Sequence, residues 1–304
     1  MPGAIIAAMP RSPAQVAWLT LAMLPSCRAV VDSGITYSEC KQTDYVEPFQ
    51  AGSTLEQLLE KCWQTSDATT DENNPSADIL LEDDDLVIRS SSTEVGAASQ
   101  WAGETQGPLA YQQFDADFVM ATRVEVFDKI NADRCVPPGY RAGLALRLAD
   151  VASGEWVTFL IEPFQPTPAL TCDEQTETQL PTLGKVMSNG LGGSMTTTGT
   201  DDAGIGFDDA VEADIAICRI GSILTFYYRD PESKETAPVW RKLDLDYSEI
   251  SGPVEVGLTV AGEKKEDPGD SFRTGAHFQW ALVSDTILTD GCEQTLAAFV
   301  LPTE

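Results

Sequence analysis

Between Ile79 and Val283 apolar and polar positions alternate in short runs, and no stretch from residue 78 to 284 sustains a helical period. Ile79-Leu80-Leu81 leads through Glu82-Asp83-Asp84-Asp85 to Leu86-Val87-Ile88-Arg89, which reads as strand, turn and strand. Phe118 to Val126 is a longer alternating run, and others cover 142–148, 156–161, 213–220, 224–228, 254–260 and 276–283. These runs are rich in Val, Ile, Thr, Phe and Tyr and are bounded by Gly or Asp. Branched and aromatic side chains suit a pleated, half-buried surface, so the runs predict antiparallel strands. Period two buries one face of each strand. The pattern therefore predicts an all-β fold, two antiparallel sheets packed as a sandwich.

Outside those runs the pattern changes. Ser53-Thr54-Leu55-Glu56 has the form of a capping box, and Leu55, Leu58 and Leu59 follow at helical spacing, which predicts a short N-terminal helix over 54–62. Residues 67–77, 163–184 and 188–210 are polar or rich in Pro and Gly and read as loops; long loops of this kind are often binding segments. Asn189-Gly190-Leu191-Gly192-Gly193-Ser194 lacks the Lys and the following helix of a phosphate loop and reads as a flexible connection.

The first 26 residues carry Arg11 and then an apolar stretch from Ala14 to Leu24, long enough for a secretion signal and too short to span a bilayer. Leu24-Pro25-Ser26-Cys27 resembles the lipobox of bacterial lipoproteins, which implies cleavage before Cys27 and acylation of that residue; simple signal-peptide removal is the alternative. Arg28 follows the cysteine, and by analogy with lipoprotein sorting the expected destination is the outer membrane. The expected organisation is a signal peptide over 1–26, a lipid-anchor tether over 27–52, a β-sandwich over 53–285 and a C-terminal extension over 286–304. Of seven cysteines, removing Cys27 leaves Cys40, Cys62, Cys135, Cys172, Cys218 and Cys292. That even set in an exported chain predicts three disulfides. Cys135 and Cys172 are the expected pair, because both lie in loops flanking the strands of 142–161.

Charge narrows the partners. The chain has 48 acidic and 19 Lys or Arg side chains, a formal net charge of −29. Such an excess excludes nucleic acid as an expected partner, since phosphate binding needs Lys and Arg. It equally disfavours anionic headgroups, so membrane attachment is expected through the N-terminal lipid only. Calcium is the one metal the sequence suggests, through loop carboxylates at Asp83, Asp85, Asp201 and Asp208, although no EF-hand spacing is present. One histidine, His277, and a set of oxidised cysteines leave no ligand set for catalytic zinc.

Five segments in order carry a family resemblance: Gln113 to Val124, Tyr140 to Arg147, Gly154 to Phe159, Arg219 to Tyr228 with Trp240-Arg241, and Val256-Gly257-Leu258. Together they resemble the strands of concanavalin A-like jelly rolls, nearest to the domain at the C-terminus of some β-xylosidases. The resemblance covers about 60–285. It implies a two-sheet jelly roll with a concave face that often holds carbohydrate, and it does not imply one activity. Glucanases of that superfamily carry two glutamates flanking an aspartate on one strand; Glu-x-Asp-x-x-Glu is absent here, and Glu212-Ala213-Asp214 is the nearest fragment on a strand. Glu125 and Glu162 lie on or near strands. Aromatic rings stack on sugars, which makes Trp101, Tyr111, Trp156, Tyr228 and Trp240 the expected ligand-binding residues, Trp101 having the best claim to exposure. Alternation sets Ala276, Phe278 and Trp280 on one face and His277 and Gln279 on the other. The expected function is an exported, lipid-anchored module that binds carbohydrate. The alternatives are a glycoside hydrolase or polysaccharide lyase with a non-standard site, and a structural or adhesive envelope protein.

Overall fold

The computed structural model describes residues 44–49, 54, 57–58, 61–66, 77–90, 101, 107–128, 140–149, 155–163, 182–189, 212–229, 239–247, 250–262, 274–289 and 291–299. The strands are β1 (Tyr45–Glu47), β2 (Gln64–Ser66), β3 (Ala77–Glu82), β4 (Asp85–Ser90), β5 (Leu109–Phe114), β6 (Phe118–Asp128) and β7 (Tyr140–Leu148). They continue with β8 (Trp156–Pro163), β9 (Thr182–Asn189), β10 (Glu212–Ile220), β11 (Ile223–Arg229), β12 (Arg241–Tyr247), β13 (Val254–Gly262) and β14 (Thr274–Ser284). A helix, α1 (Cys292–Ala298), follows.

The larger sheet has eight strands in the order β12-β11-β10-β6-β14-β4-β3, with β1 also paired to β14; the smaller has six, β2-β5-β13-β7-β8-β9. All the pairings are antiparallel. This is the two-sheet sandwich that the alternating runs predict. Val254, Val256, Leu258 and Val260 of β13 and Ala142, Leu144 and Leu146 of β7 point into the space between the sheets, where they meet Ile215, Ile217, Phe226 and Phe278 from the other side. Phe159 of the small sheet and Phe226 of the large one touch edge to face, with centroids 5.6 Å apart. Emptying a buried aromatic site of this kind costs about 3–5 kcal/mol.

The turn at Glu82–Asp85 is a two-residue hairpin. Asp83 and Asp84 have φ of 48° and 71°, the left-handed pair that matches the twist of the flanking strands and that Asp tolerates better than branched residues. Both Asp side chains are exposed.

Three boundaries differ from expectation. The sandwich begins before residue 53: Tyr45, Val46 and Glu47 pair with Val283, Leu282 and Ala281 of β14, and Phe49 is fully buried. The end of the expected tether is therefore an edge segment of the large sheet, because its apolar residues find partners there. The capping box is shifted by one residue. Thr54 N–H donates to Gln57 Oε1 (2.9 Å), and Gln57 N–H donates to Thr54 Oγ1 (3.3 Å). That phase brings Leu58 into the core. The C-terminal extension also contains a helix the alternation did not reveal. Cys292 and Leu296, one turn apart, are buried against the large sheet, and Cys292 is bonded to Cys218 of β10. Cys62 is disulfide-bonded as well, its partner lying outside the described residues. Cys27, Cys40, Cys135 and Cys172 also lie outside them, and so does the expected Cys135–Cys172 bridge.

Candidate functional site

The alternation that fills the core also decides what stands on each sheet's outer face. On β6, Val124 and Val126 point inward, which turns Arg123 and Glu125 outward; on β10, Ala213 and Ile215 point inward and leave Glu212 and Asp214 outside. Glu125 stands opposite Glu212 on one side and opposite His277 of β14 on the other. Directly facing residues have Cβ atoms roughly 4.5–5.5 Å apart, so an imidazole and two carboxyls form one row across β14, β6 and β10.

The neighbouring row is built on Asp214, which faces Arg123 and Arg229. Its carboxylate is fully buried and accepts hydrogen bonds from Arg123 Nε at 2.8 Å and from Arg229 Nε. A buried anion needs such partners, since an unpaired one would be strongly destabilising. The Arg229 guanidinium in turn lies over the Trp240 ring, 5.0 Å from its centroid.

A β-bulge joins the two rows. The register of β14 shifts between Phe278 and Trp280, leaving Gln279 as the extra residue. Bulges of this kind re-aim side chains. The Gln279 carboxamide donates to Glu212 Oε1 at 3.2 Å, and Arg123 Nε lies 3.4 Å from the same oxygen. The bulge also overturns the expectation that Trp280 shares a face with Ala276 and Phe278. It swings Trp280 to the outer face, against Leu282 and Leu296, while Ala281 and Val283 take the core positions.

Glu125 has a different environment from its neighbour. Among the described residues it makes no hydrogen bond or ion pair. Burial pushes its carboxyl above the ordinary value of 4.5; His277 opposes that shift and Asp85 adds to it. His277 Nδ1 lies 3.0 Å from Asp85 Oδ2, close enough for an ion pair when the imidazole is protonated but not aligned as a hydrogen bond. Its ring also leans on Phe127, with centroids 4.6 Å apart. Phe127 fits there because residue 275 is glycine: a Cβ at Gly275 would lie 2.4 Å from the Phe127 ring. One end of this face is closed by α1, whose Leu296 covers Trp280, Val119 and Ala121. The row of Glu125, Glu212 and His277 remains half-exposed beside it.

The outer face of the six-stranded sheet gathers three of the expected ligand-binding aromatics, but it encloses them. Trp101, Tyr111 and Trp156 pack with Leu109, Ala145, Leu160 and Ala261. Trp101 is only 2% exposed, which corrects the expectation of a solvent-facing ring. Its indole N–H donates to Thr259 Oγ1 at 2.7 Å, and its ring meets Trp156 edge to face. Gly107 makes the seat, since a Cβ there would come within 2.3 Å of the indole nitrogen. Arg147 covers Tyr111, 5.3 Å from its centroid, and pairs with Glu255, while Arg141 pairs with Glu162. Of the other two expected aromatics, Tyr228 packs against the central core and Trp240 is 4% exposed beneath Arg229.

Two of the expected calcium ligands, Asp83 and Asp85, are among the described residues. Asp83 sits in the hairpin turn, Asp85 is beside His277, and no cluster of three His, Cys, Asp or Glu suited to a metal occurs among the described residues. Asp201 and Asp208 lie outside them. Arg123 was not singled out from the sequence, Asp214 entered only through the fragment Glu212-Ala213-Asp214, and Gln279 only as sharing a face with His277. Alternation could have placed Arg123 and Asp214 on the outer face, as it did His277 and Gln279, whereas the contact of Gln279 with Glu212 depends on the bulge.

No family model matches the sequence, and no curated protein matches it. Solved structures do resemble the chain. A xylan β-1,4-xylosidase from Bacillus halodurans C-125 is 11% identical with a TM-score of 0.47, over 81% of this chain and 40% of that one. A pseudo β-1,3-glucanase of Mycobacterium tuberculosis is 16% identical with a TM-score of 0.43, over 80% and 98%. Basic winged bean lectin is 11% identical with a TM-score of 0.42, over 80% and 98%. The chain spans about two fifths of the length of the xylosidase it resembles.

Proposed function

We propose that this protein is an exported, lipid-anchored β-sandwich that binds carbohydrate on the outer face of its eight-stranded sheet. The observation that carries the reading is the half-exposed row of Glu125, Glu212, His277 and Gln279. Carboxyl, imidazole and carboxamide groups stand there on rigid strands and supply donors and acceptors at fixed spacing, as vicinal hydroxyls require. Three of the aromatic residues expected to stack on sugar, Trp101, Tyr111 and Trp156, instead form the sealed opposite face, so hydrogen bonding would provide the contacts. Export and anchoring rest on the apolar leader and on Leu24 to Cys27.

Two experiments test the proposal. On a glycan array the detergent-solubilised protein should retain a defined set of glycans. Gln279→Ala should weaken that retention at least tenfold with an unchanged melting temperature, and an empty array would contradict the reading. Metabolic labelling with a palmitate analogue should mark the wild-type chain and not Cys27→Ala; equal labelling of both would remove the anchor.

A further inference from the structure

We propose that the end of the sandwich carrying the β10–β11 hairpin tip rests on a zwitterionic bilayer surface, with Ile220, Ile223 and Leu288 entering its interface; the inference rests on acylation of Cys27. Among the described residues the exposed large apolar side chains are Leu80, Ile220, Ile223, Val239 and Leu288. Three of them share one end. Ile220 and Ile223 face each other across the hairpin and are 44% and 45% exposed. Ile217 and Leu224 point inward, and that parity turns both isoleucines to the outer face of the eight-stranded sheet. Cys292 is bonded to Cys218, just before Ile220 on β10. Leu288 is exposed immediately ahead of α1, in a turn closed by Gly291 N–H donating to its carbonyl at 2.8 Å. Apolar residues scattered singly over a surface need no explanation, whereas a group gathered at one end calls for a partner.

The tip is braced from below. Arg219 is buried and donates from Nε to the Gly221 carbonyl and from Nη1 to the Gly252 carbonyl, both at 2.8 Å. Asp117 Oδ1 accepts from Gly221 N–H at 2.7 Å, and Ile250 N–H donates to the Ser222 carbonyl at 3.1 Å. The β5–β6 turn and the β12–β13 connection thus hold the hairpin and keep both isoleucines presented to solvent. A contact held ready in this way costs little further ordering when it binds.

The course of the chain points to the occupant. β1 enters antiparallel to β14, with Tyr45 opposite Val283, and Ser284 Oγ donates to Asp44 at 2.7 Å. Ser284 stands opposite Val119, and Phe118 opposite Arg219, so the chain reaches the sandwich at the end that carries the tip. Cys27 lies 17 positions before Asp44, a length that spans at most about 60 Å. A bilayer at this end is met directly. One at the far end of β14, an eleven-residue strand and so roughly 37 Å away, would take up more than half of that reach. Asp115, Asp117 and Asp285 lie at the same end as the tip, and carboxylates favour the ammonium groups of zwitterionic headgroups over anionic lipid. Glu212 and Ile220 are the two ends of β10, roughly 27 Å apart at the rise of a strand. The row of Glu125, Glu212 and His277 therefore stands clear of the headgroups and open to a ligand from the side.

The test reconstitutes the full chain into phosphatidylcholine vesicles whose acyl chains are brominated near the headgroup, a short-range quencher of tryptophan. Ile223→Trp sets a reporter at the tip. Val239→Trp sets one at the opposite end of β11 and β12, where Tyr228 faces Arg241. With the wild-type signal subtracted, Ile223→Trp emission should fall at least threefold relative to unbrominated vesicles, and Val239→Trp emission should not change. Adding Ile220→Ser and Leu288→Ser to Ile223→Trp should at least halve that quenching, and far-UV circular dichroism checks that the variants fold. Equal quenching at both positions, or none at Ile223→Trp in vesicles that carry the protein, would overturn this face and leave acylation standing. Equal quenching in phosphatidylglycerol vesicles would overturn the preference for zwitterionic lipid. Flotation of a chain that palmitate labelling shows to be unacylated, with quenching of Ile223→Trp intact, would overturn the anchor and support the face. A chain that does not float with vesicles at all would overturn both.

Discussion

The outer faces of the two sheets come from the same alternating pattern and end in opposite states. On the six-stranded sheet Gly257, Ala145, Ala261 and Thr259 leave a shallow floor, and Trp101 fills it, with its indole N–H satisfied by Thr259. On the eight-stranded sheet the corresponding positions carry Arg123 and Asp214, which are buried against each other, and Glu125, Glu212 and His277, which stay half-exposed. An aromatic side chain that can be dehydrated is driven to seal a face, as its burial is favourable by roughly 25 cal/mol per Å². A row of ionisable groups cannot be sealed without desolvation costs and remains available to a ligand. Trp101 adopts φ of 54°, a left-handed backbone that a bulky residue adopts only where the surroundings enforce it.

The sharpest way to break this comparison is Trp101→Ala. It empties an aromatic site and orphans the Thr259 contact, so it should destabilise by about 3–5 kcal/mol, measured by urea unfolding, with little change in glycan retention. Strong loss of retention at unchanged stability would instead make the sealed face the binding face. Asp214→Ala should cost a similar 3–5 kcal/mol, because it leaves two guanidinium groups packed without their buried anion.

Next in size is the disulfide that ties α1 to the larger sheet. Cys218 and Cys292 are 74 residues apart, so replacing both by Ala should lower stability by about 2–4 kcal/mol. If the polar rows are independent of the covered end, glycan retention should survive the loss. A melting temperature unchanged by the double substitution would show that packing alone holds α1.

The smallest expected effect is that of pH. Glu125 has a folded-state pKa raised chiefly by burial. The stability it contributes is therefore fully present below its unfolded pKa and is lost as pH rises through the folded value. Glu125→Gln should flatten stability against pH in that window and leave the chain more stable above it. A curve identical to wild type would place Glu125 in ordinary solvent contact.

Much of this was legible in the sequence. Period two gave the strands, and Asp83-Asp84 between two apolar runs gave a hairpin whose turn needs two left-handed residues. The facing of His277 and of Glu125 follows from counting residues along β14 and β6. What was not legible depends on tertiary contacts. A lone Trp between Gln100 and Ala102 carries no sign of the seat that Gly107 and Thr259 make for it. The bulge at Gln279 breaks the parity that would have put Trp280 in the core. Tyr45 to Phe49 are too few to show a period, and α1 has only one turn of buried positions.

His277 is the single histidine of the chain, which makes it a one-site reporter for the face on which a ligand sits. Its carbethoxylation by diethyl pyrocarbonate can be followed by mass spectrometry with and without a glycan that the protein retains, alongside oxidation of Trp101 by N-bromosuccinimide. Binding on the eight-stranded sheet predicts that the glycan slows His277 modification at least tenfold, while Trp101 reacts slowly in both conditions. Unchanged His277 reactivity, with Trp101 protected instead, would contradict that placement and move the ligand to the six-stranded sheet.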